Sequence, residues 1–127
     1  MLQSDFVESA LGATETTETK VGTINIPSKG VSKIVGIVAI IHGVTTTAEE
    51  NFGYVKLSFK TVAGSFRFGC QVHYAGAGTL VGPPADFTPK VIPVDIPVPQ
   101  NETVDCYIAQ FVAATGAERG YVQLLME

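Results

Sequence analysis

The chain has no tryptophan, only two cysteines and two histidines, and eight lysines and arginines against twelve aspartates and glutamates in 127 residues. Each scarcity closes off a class of function. Sugar-binding clefts rely on large flat aromatic faces, so the lack of tryptophan argues against a carbohydrate site. Cys70 and Cys106 stand far apart in separate apolar runs, which excludes a C-x-x-C motif and a disulfide framework; two buried free thiols are expected. A bridge between neighbouring strands stays open, because sequence does not give the Cα separation a disulfide demands. A net charge of −4 offers no clustered basic surface, so no direct nucleic-acid contact is expected. No apolar run is long enough to span a bilayer, and the opening Met1-Leu2-Gln3-Ser4-Asp5 lacks the basic patch and apolar stretch of a signal peptide.

What is present is apolar bulk. Hydrophobic residues make up 46% of the chain and charged ones 16%, which excludes disorder over most of it and leaves a bland surface of the kind a partner covers. The length suits one domain with its own core. The division expected is an acidic N-terminal arm over 1–19 and a single β-sandwich over 20–127. In the arm, Asp5 and Glu8 have capping-box spacing, and Phe6, Val7, Ala10 and Leu11 fit one face of a short helix stopped by Gly12. The arm is read as a frayed terminus or as a segment docking on a neighbouring subunit.

From Lys20 onward the pattern is strand after strand. Ile24 and Ile26 alternate with Thr23 and Asn25. Residues 34–44 are almost continuously apolar and rich in Ile and Val, which predicts a central strand covered on both faces. Val55, Leu57 and Phe59 alternate with Tyr54, Lys56, Ser58 and Lys60, and Phe66, Phe68, Cys70, Val72 and Tyr74 with Arg67, Gly69, Gln71 and His73. The two runs predict a hairpin. A four-residue loop sets Phe59 opposite Phe66 and keeps Lys60 away from Arg67. Residues 75–90 are rich in Gly and Pro and read as a long connection. Pro93 and Pro97 mark the run 92–98 as an edge strand, since proline cannot donate to a ladder. Segments 104–112 and 120–126 supply two more strands. The fold class predicted is all-β, an antiparallel two-sheet sandwich of jelly-roll or Greek-key type with seven or eight strands.

No motif for chemistry survives inspection. Cys70 and His73 have C-x-x-H spacing, but residues three apart on a strand point to opposite faces and cannot chelate together. His42 reads as a hydrogen-bonded structural histidine. The glycine run 76–82 precedes Pro83-Pro84, whereas a phosphate loop needs a helix to open there. Asp95 and Asp105 fall on outward positions of strands that could be neighbours, yet a solvated face explains them better than glycosidic chemistry. Lys56, Lys60 and Arg67, with His73, suggest a small cationic stripe that acidic arm residues of a neighbour could meet. Asn101-Glu102-Thr103 is a glycosylation sequon of no weight outside a secretory pathway. An enzyme, a cofactor and a bound metal are not expected.

The whole of 20–126 resembles, in architecture, the single jelly roll of viral coat proteins. The strand count, the apolar strand 34–44, the Gly/Pro connection 75–90 and the terminal arm carry the resemblance. It implies a self-assembling structural subunit of a capsid or virion surface, whose partners are copies of itself and other structural proteins. Coats that package nucleic acid often use a basic arm; this arm is acidic and points to protein contact. The assembly residues expected are Phe6, Val7 and Leu11 in the arm and Leu80, Val81 and Phe87 in the long loop, because apolar side chains there have few other uses. Deleting 1–19 is then expected to leave a folded domain that associates less well. The competing reading is a monomeric binding module that uses the loops at one end of the sandwich.

Overall fold

Alternation along each run decides which side chains face inward, and hence how the layers form. The computed structural model describes residues 2–11, 17–44, 53–62, 64–74, 89–110 and 118–127. In them the chain forms β1 (Gln3–Ala10), β2 (Thr19–Asn25), β3 (Lys33–Val44), β4 (Gly53–Phe59), β5 (Ser65–Gly69), β6 (Gln71–Tyr74), β7 (Ile92–Pro97), β8 (Thr103–Gln110) and β9 (Arg119–Met126). One sheet runs β1-β9-β3, with β6 and β7 both on the far side of β3; the other runs β2-β8-β4-β5. The pairs nest around the β4–β5 turn: β3 with β7 outside it, then β2 with β8, then β1 with β9. A long hairpin rolled over on itself in this way is a jelly roll, and the all-β two-sheet sandwich read from the sequence is what the structure has.

The core lies between the sheets, with Ile24, Ile34, Ile37, Ile41, Leu57, Ile108 and Leu124 at its centre. On β3, Ile37, Ala39 and Ile41 face this core, and the outward-alternating Val38 and Ile40 are only 5% and 8% exposed. The central strand is therefore covered on both faces, as its continuous apolar run predicts. Among the described residues β7 pairs only with β3, so the proline-bearing run is an edge strand there. Among the described residues no helix is long and apolar enough to cross a membrane.

Three expectations need correction. Residues 3–10 are not a helix but β1, paired in unbroken register with β9 from Gln3↔Met126 to Ala10↔Arg119. The helical spacing of Phe6, Val7, Ala10 and Leu11 is outweighed because the edge of β9 offers a full ladder, and a short isolated helix is marginal in water. The first residues are thus an outer strand of the sandwich rather than an arm. At the second point, the run 65–74 breaks at Cys70: β5 stays with β4, and β6 crosses to the other sheet, where it pairs parallel with β3. Among the described residues, β5 and β6 counted as one bent strand make eight strands, and counted apart, nine. Lastly, the hairpin register slides by two residues, setting Leu57 against Phe66 and Lys56 against Arg67. Phe59 and Phe66 still meet edge-on at 5.7 Å.

Candidate assembly surface

The outer faces of the two sheets differ in chemistry. On the β2-β8-β4-β5 sheet, the outward positions of β4, β5 and β8 carry Tyr54, Lys56, Arg67, Asp105 and Tyr107. Opposing Lys56 and Arg67 across a ladder is repulsive by itself. Glu18 relieves it: Lys56 Nζ donates to its Oε1 at 2.6 Å, the Tyr54 hydroxyl to its Oε2 at 2.7 Å, and Arg67 Nη2 lies 3.7 Å from Oε2. The Lys56 and Tyr54 hydrogen bonds hold the Glu18 carboxyl below the usual carboxylate range against the opposing effect of burial. Lys56 also sits 4.6 Å from the ring centre of Tyr107. Asp105 receives Lys20 at 3.2 Å and the Thr23 hydroxyl at 2.8 Å. Lys56 and Arg67 of the expected stripe are therefore met by an acid of the same chain, and the side chain of His73 lies outside the described residues.

The outer face of the β1-β9-β3 sheet is more apolar. Register puts Phe6, Tyr121, Leu125, Gly36, Val38 and Ile40 on it, with Gln123 between Phe6 and Val38 and Ser4 beside Leu125; Val38 and Ile40 are buried. Phe6 stacks on Tyr121 with ring centroids 5.4 Å apart, yet stays 58% exposed. Gly36 opens room for two neighbours: a Cβ there would lie 2.7 Å from a methyl of Val91 and 3.0 Å from one of Leu125. Val91 is itself 49% exposed. One end of the face is closed by a three-strand polar clamp. Arg119 donates from Nε and Nη2 to Glu8 at 2.7 and 2.6 Å, and His42 Nε2 lies 3.2 Å from the same carboxylate. The Arg119 bond leads in holding Glu8 below its ordinary range. His42 thus has the acidic partner that sequence alone did not reveal, brought from a strand far away in the chain.

Of the predicted assembly residues, the structure separates those it describes. Phe6 lies on the exposed face, whereas Val7 and Leu11 turn inward and pack against the core. A Cβ at Gly22 would meet Val7 Cβ at 2.6 Å, so glycine is what lets β2 come this close to β1. Leu80, Val81 and Phe87 lie outside the described residues. No protein-family model matches the sequence, and no curated protein does.

The remaining chemical candidates fall apart in space. Asp95 is on β7 and Asp105 on β8, in different sheets, so the two carboxylates are not neighbours. Among the described residues no three His, Cys, Asp or Glu gather as a metal-ligand set. Cys70 and Cys106 are free thiols, both pushed up to about 12 by burial, so neither is poised as a nucleophile at neutral pH.

Sequence reasoning missed Glu102, seen there only as the middle of a sequon. It is 1% exposed. Its carboxylate accepts from the backbone N–H of Thr61, Val62 and Thr103 and from the Thr61 hydroxyl, tying the β4–β5 turn to the start of β8. Asn101, at φ 60, makes the left-handed step that turns the chain into this position. A lone Glu beside a turn gives no sequence signal of that role. Gln110, at the end of β8, is the reverse case: it is 3% exposed, and neither its Oε1 nor its Nε2 has a partner among the described residues. Gln110→Met keeps the volume and removes the desolvated amide, so it is expected to stabilise the fold by about 1–2 kcal/mol. Urea unfolding of the two proteins measures this; equal or lower stability in the variant would show that the amide is satisfied.

Proposed function

We propose that this protein is a structural subunit that assembles with copies of itself, a viral coat protein being the class its nested strand order suits best. The observation that carries the reading is the contrast between the outer faces. One is polar, with Lys20, Lys56 and Arg67 paired to Asp105 and Glu18 of the same chain; the other presents Phe6 stacked on Tyr121 and, beside Gly36, Leu125 and Val91, with Phe6 and Val91 58% and 49% exposed. A face already satisfied gains little from a partner, whereas an apolar face rimmed by a polar clamp gains from being covered. Repeated contacts of one apolar face close into rings or shells when the rotation permits. Virion localisation, and association with other structural proteins, follow only as parts of this proposal.

Light scattering on the purified chain, with negative-stain imaging of any large fraction, tests it. Rings or shells are the expected result. Val91→Lys should leave the monomer's stability within about 0.5 kcal/mol, because the side chain is half in solvent, and weaken association about tenfold or more by burying an unpaired charge. A wild-type chain that stays monomeric at high concentration overturns the proposal and favours a monomeric binding module.

A further inference from the structure

We infer that β1 is the docking strand for β1 of a second copy, and that Asp5 holds this docking in check. The inference rests on the self-assembly reading and names the edge through which two copies meet.

The outer strands of a sheet carry unpaired backbone groups, and proteins blunt most of them. Here β7 has Pro93 and Pro97, β5 is five residues long, and β2 is interrupted between Lys20 and Gly22. β1 differs: eight residues without proline, glycine or a basic side chain, in continuous register with β9. Which backbone groups it presents follows from one bond. Leu11 N donates to Glu118 O at 3.0 Å, so the odd-numbered residues of β1 bond β9 and the even-numbered ones point away from it. No described strand takes those outward groups.

Two of them are capped locally, and both caps come from inward side chains folding over the edge. Phe6 N–H donates to Asp5 Oδ1 at 2.8 Å, and the Ser9 hydroxyl donates to the Ala10 carbonyl at 3.3 Å. An inward-pointing charge on an edge strand is a known guard against strand addition. Asp5, opposite Leu124 in the register, stands at the middle of the edge and occupies its central donor.

A second copy fits because the strand is close to self-complementary about Phe6. In an antiparallel pair centred there, Ser4 faces Glu8, Leu2 faces Ala10 and Asp5 faces Val7, while the two Phe6 rings meet over the axis with Tyr121 stacked behind each. Ser4, Phe6 and Glu8 then each donate and accept one hydrogen bond across the interface. The charges agree with this register. Glu8 is already neutralised by Arg119 and His42, and no carboxylate faces another, as Asp5 would face its copy in a pair centred on itself. Docking requires Asp5 to give up the Phe6 N–H, which makes it reversible.

The test uses the full chain, its Asp5→Ala variant and its Ser4→Pro variant, in sedimentation equilibrium and residue-resolved amide exchange. Asp5→Ala is expected to tighten the dimer about tenfold, since a competing charge-assisted hydrogen bond is gone. Ser4→Pro removes only an outward donor and should abolish the dimer with the fold kept by circular dichroism. In wild type, the amides of Ser4, Phe6 and Glu8 should slow with rising concentration, while those of Asp5, Val7 and Ser9 are protected throughout by β9. An Asp5→Ala variant with unchanged association and exchange overturns the inference, as does dimerisation undiminished in a folded Ser4→Pro variant. If those results occur while Val91→Lys still disperses larger assemblies, the docking edge fails and the structural-subunit reading stands; if wild type and Asp5→Ala are both monomeric, both fail.

Discussion

A chain lacking residues 1–11 is expected to melt about 10 °C or more below the full protein and to aggregate on heating. Three losses coincide. β9 gives up the ladder that pairs it with β1 along its whole length. Val7 and Leu11 leave the core edge they pack against, and the room that Gly22 makes for Val7 and Gly120 for Leu11 is left unfilled on that side. Arg119 and His42 lose Glu8. The new edge is also hazardous, because β9 is apolar and carries no proline or inward charge to discourage strand addition. Thermal melts with scattering detection check the prediction. A truncated chain that melts with the full one would restore the view of this segment as a dispensable arm, which the ladder with β9 now contradicts.

Glu102→Ala is expected to cost about 3 kcal/mol, the largest effect of a single side-chain truncation away from the apolar core. The carboxylate gathers donors from the β4–β5 turn and from Thr103, and removing it leaves those part-buried donors without their acceptor and a cavity where the buried Glu102 side chain stood. Glu102→Gln keeps the size and one good acceptor and should cost about half as much. The pH dependence follows from the same geometry. Burial alone would raise this carboxyl, but the hydrogen bonds from Thr61, Thr103 and Val62 bring it below the ordinary range. A carboxyl held lower in the folded than in the unfolded chain contributes stability above the unfolded value, about 4.3, and loses it as pH falls through the folded one. Wild type should therefore weaken below about pH 4.5, and Glu102→Gln should weaken less steeply there. Glu8 and Glu18 are lowered too, so the slope shrinks without vanishing. Urea titrations at several pH values measure it; parallel curves for the two proteins would remove Glu102 from the acid response.

How much was legible in the chain divides along a physical line. Period-two alternation marks Val55, Leu57 and Phe59, or Ile24 and Ile26, as inward residues, because a strand can bury only one side of its pleat against the core. The continuous run of β3 marks a strand covered twice, and the prolines of β7 mark an edge. These properties belong to one strand at a time, and each was read correctly. The β1 segment failed because its apolar spacing fits a helix, and only the free edge of β9, more than a hundred residues away, makes a strand the better partner. The hairpin failed by two residues because the loop was chosen to keep Lys60 from Arg67, whereas the register sets Lys56 against Arg67 with Glu18, far upstream in the chain, bridging the two.

For the candidate surface the division is sharper. Phe6 could be singled out from sequence as an apolar residue near a terminus. Val7 and Leu11 looked equivalent to it, and only the pairing register turns them inward and leaves Phe6 outside. Local patterning was enough for the all-β class, the central apolar strand and the blocked proline edge, since alternation, branching and the missing proline N–H act within one strand. Tertiary structure alone decided which acids meet which bases, which outer face is left apolar and which edge is left open, because those depend on strands that become neighbours only when the chain rolls up.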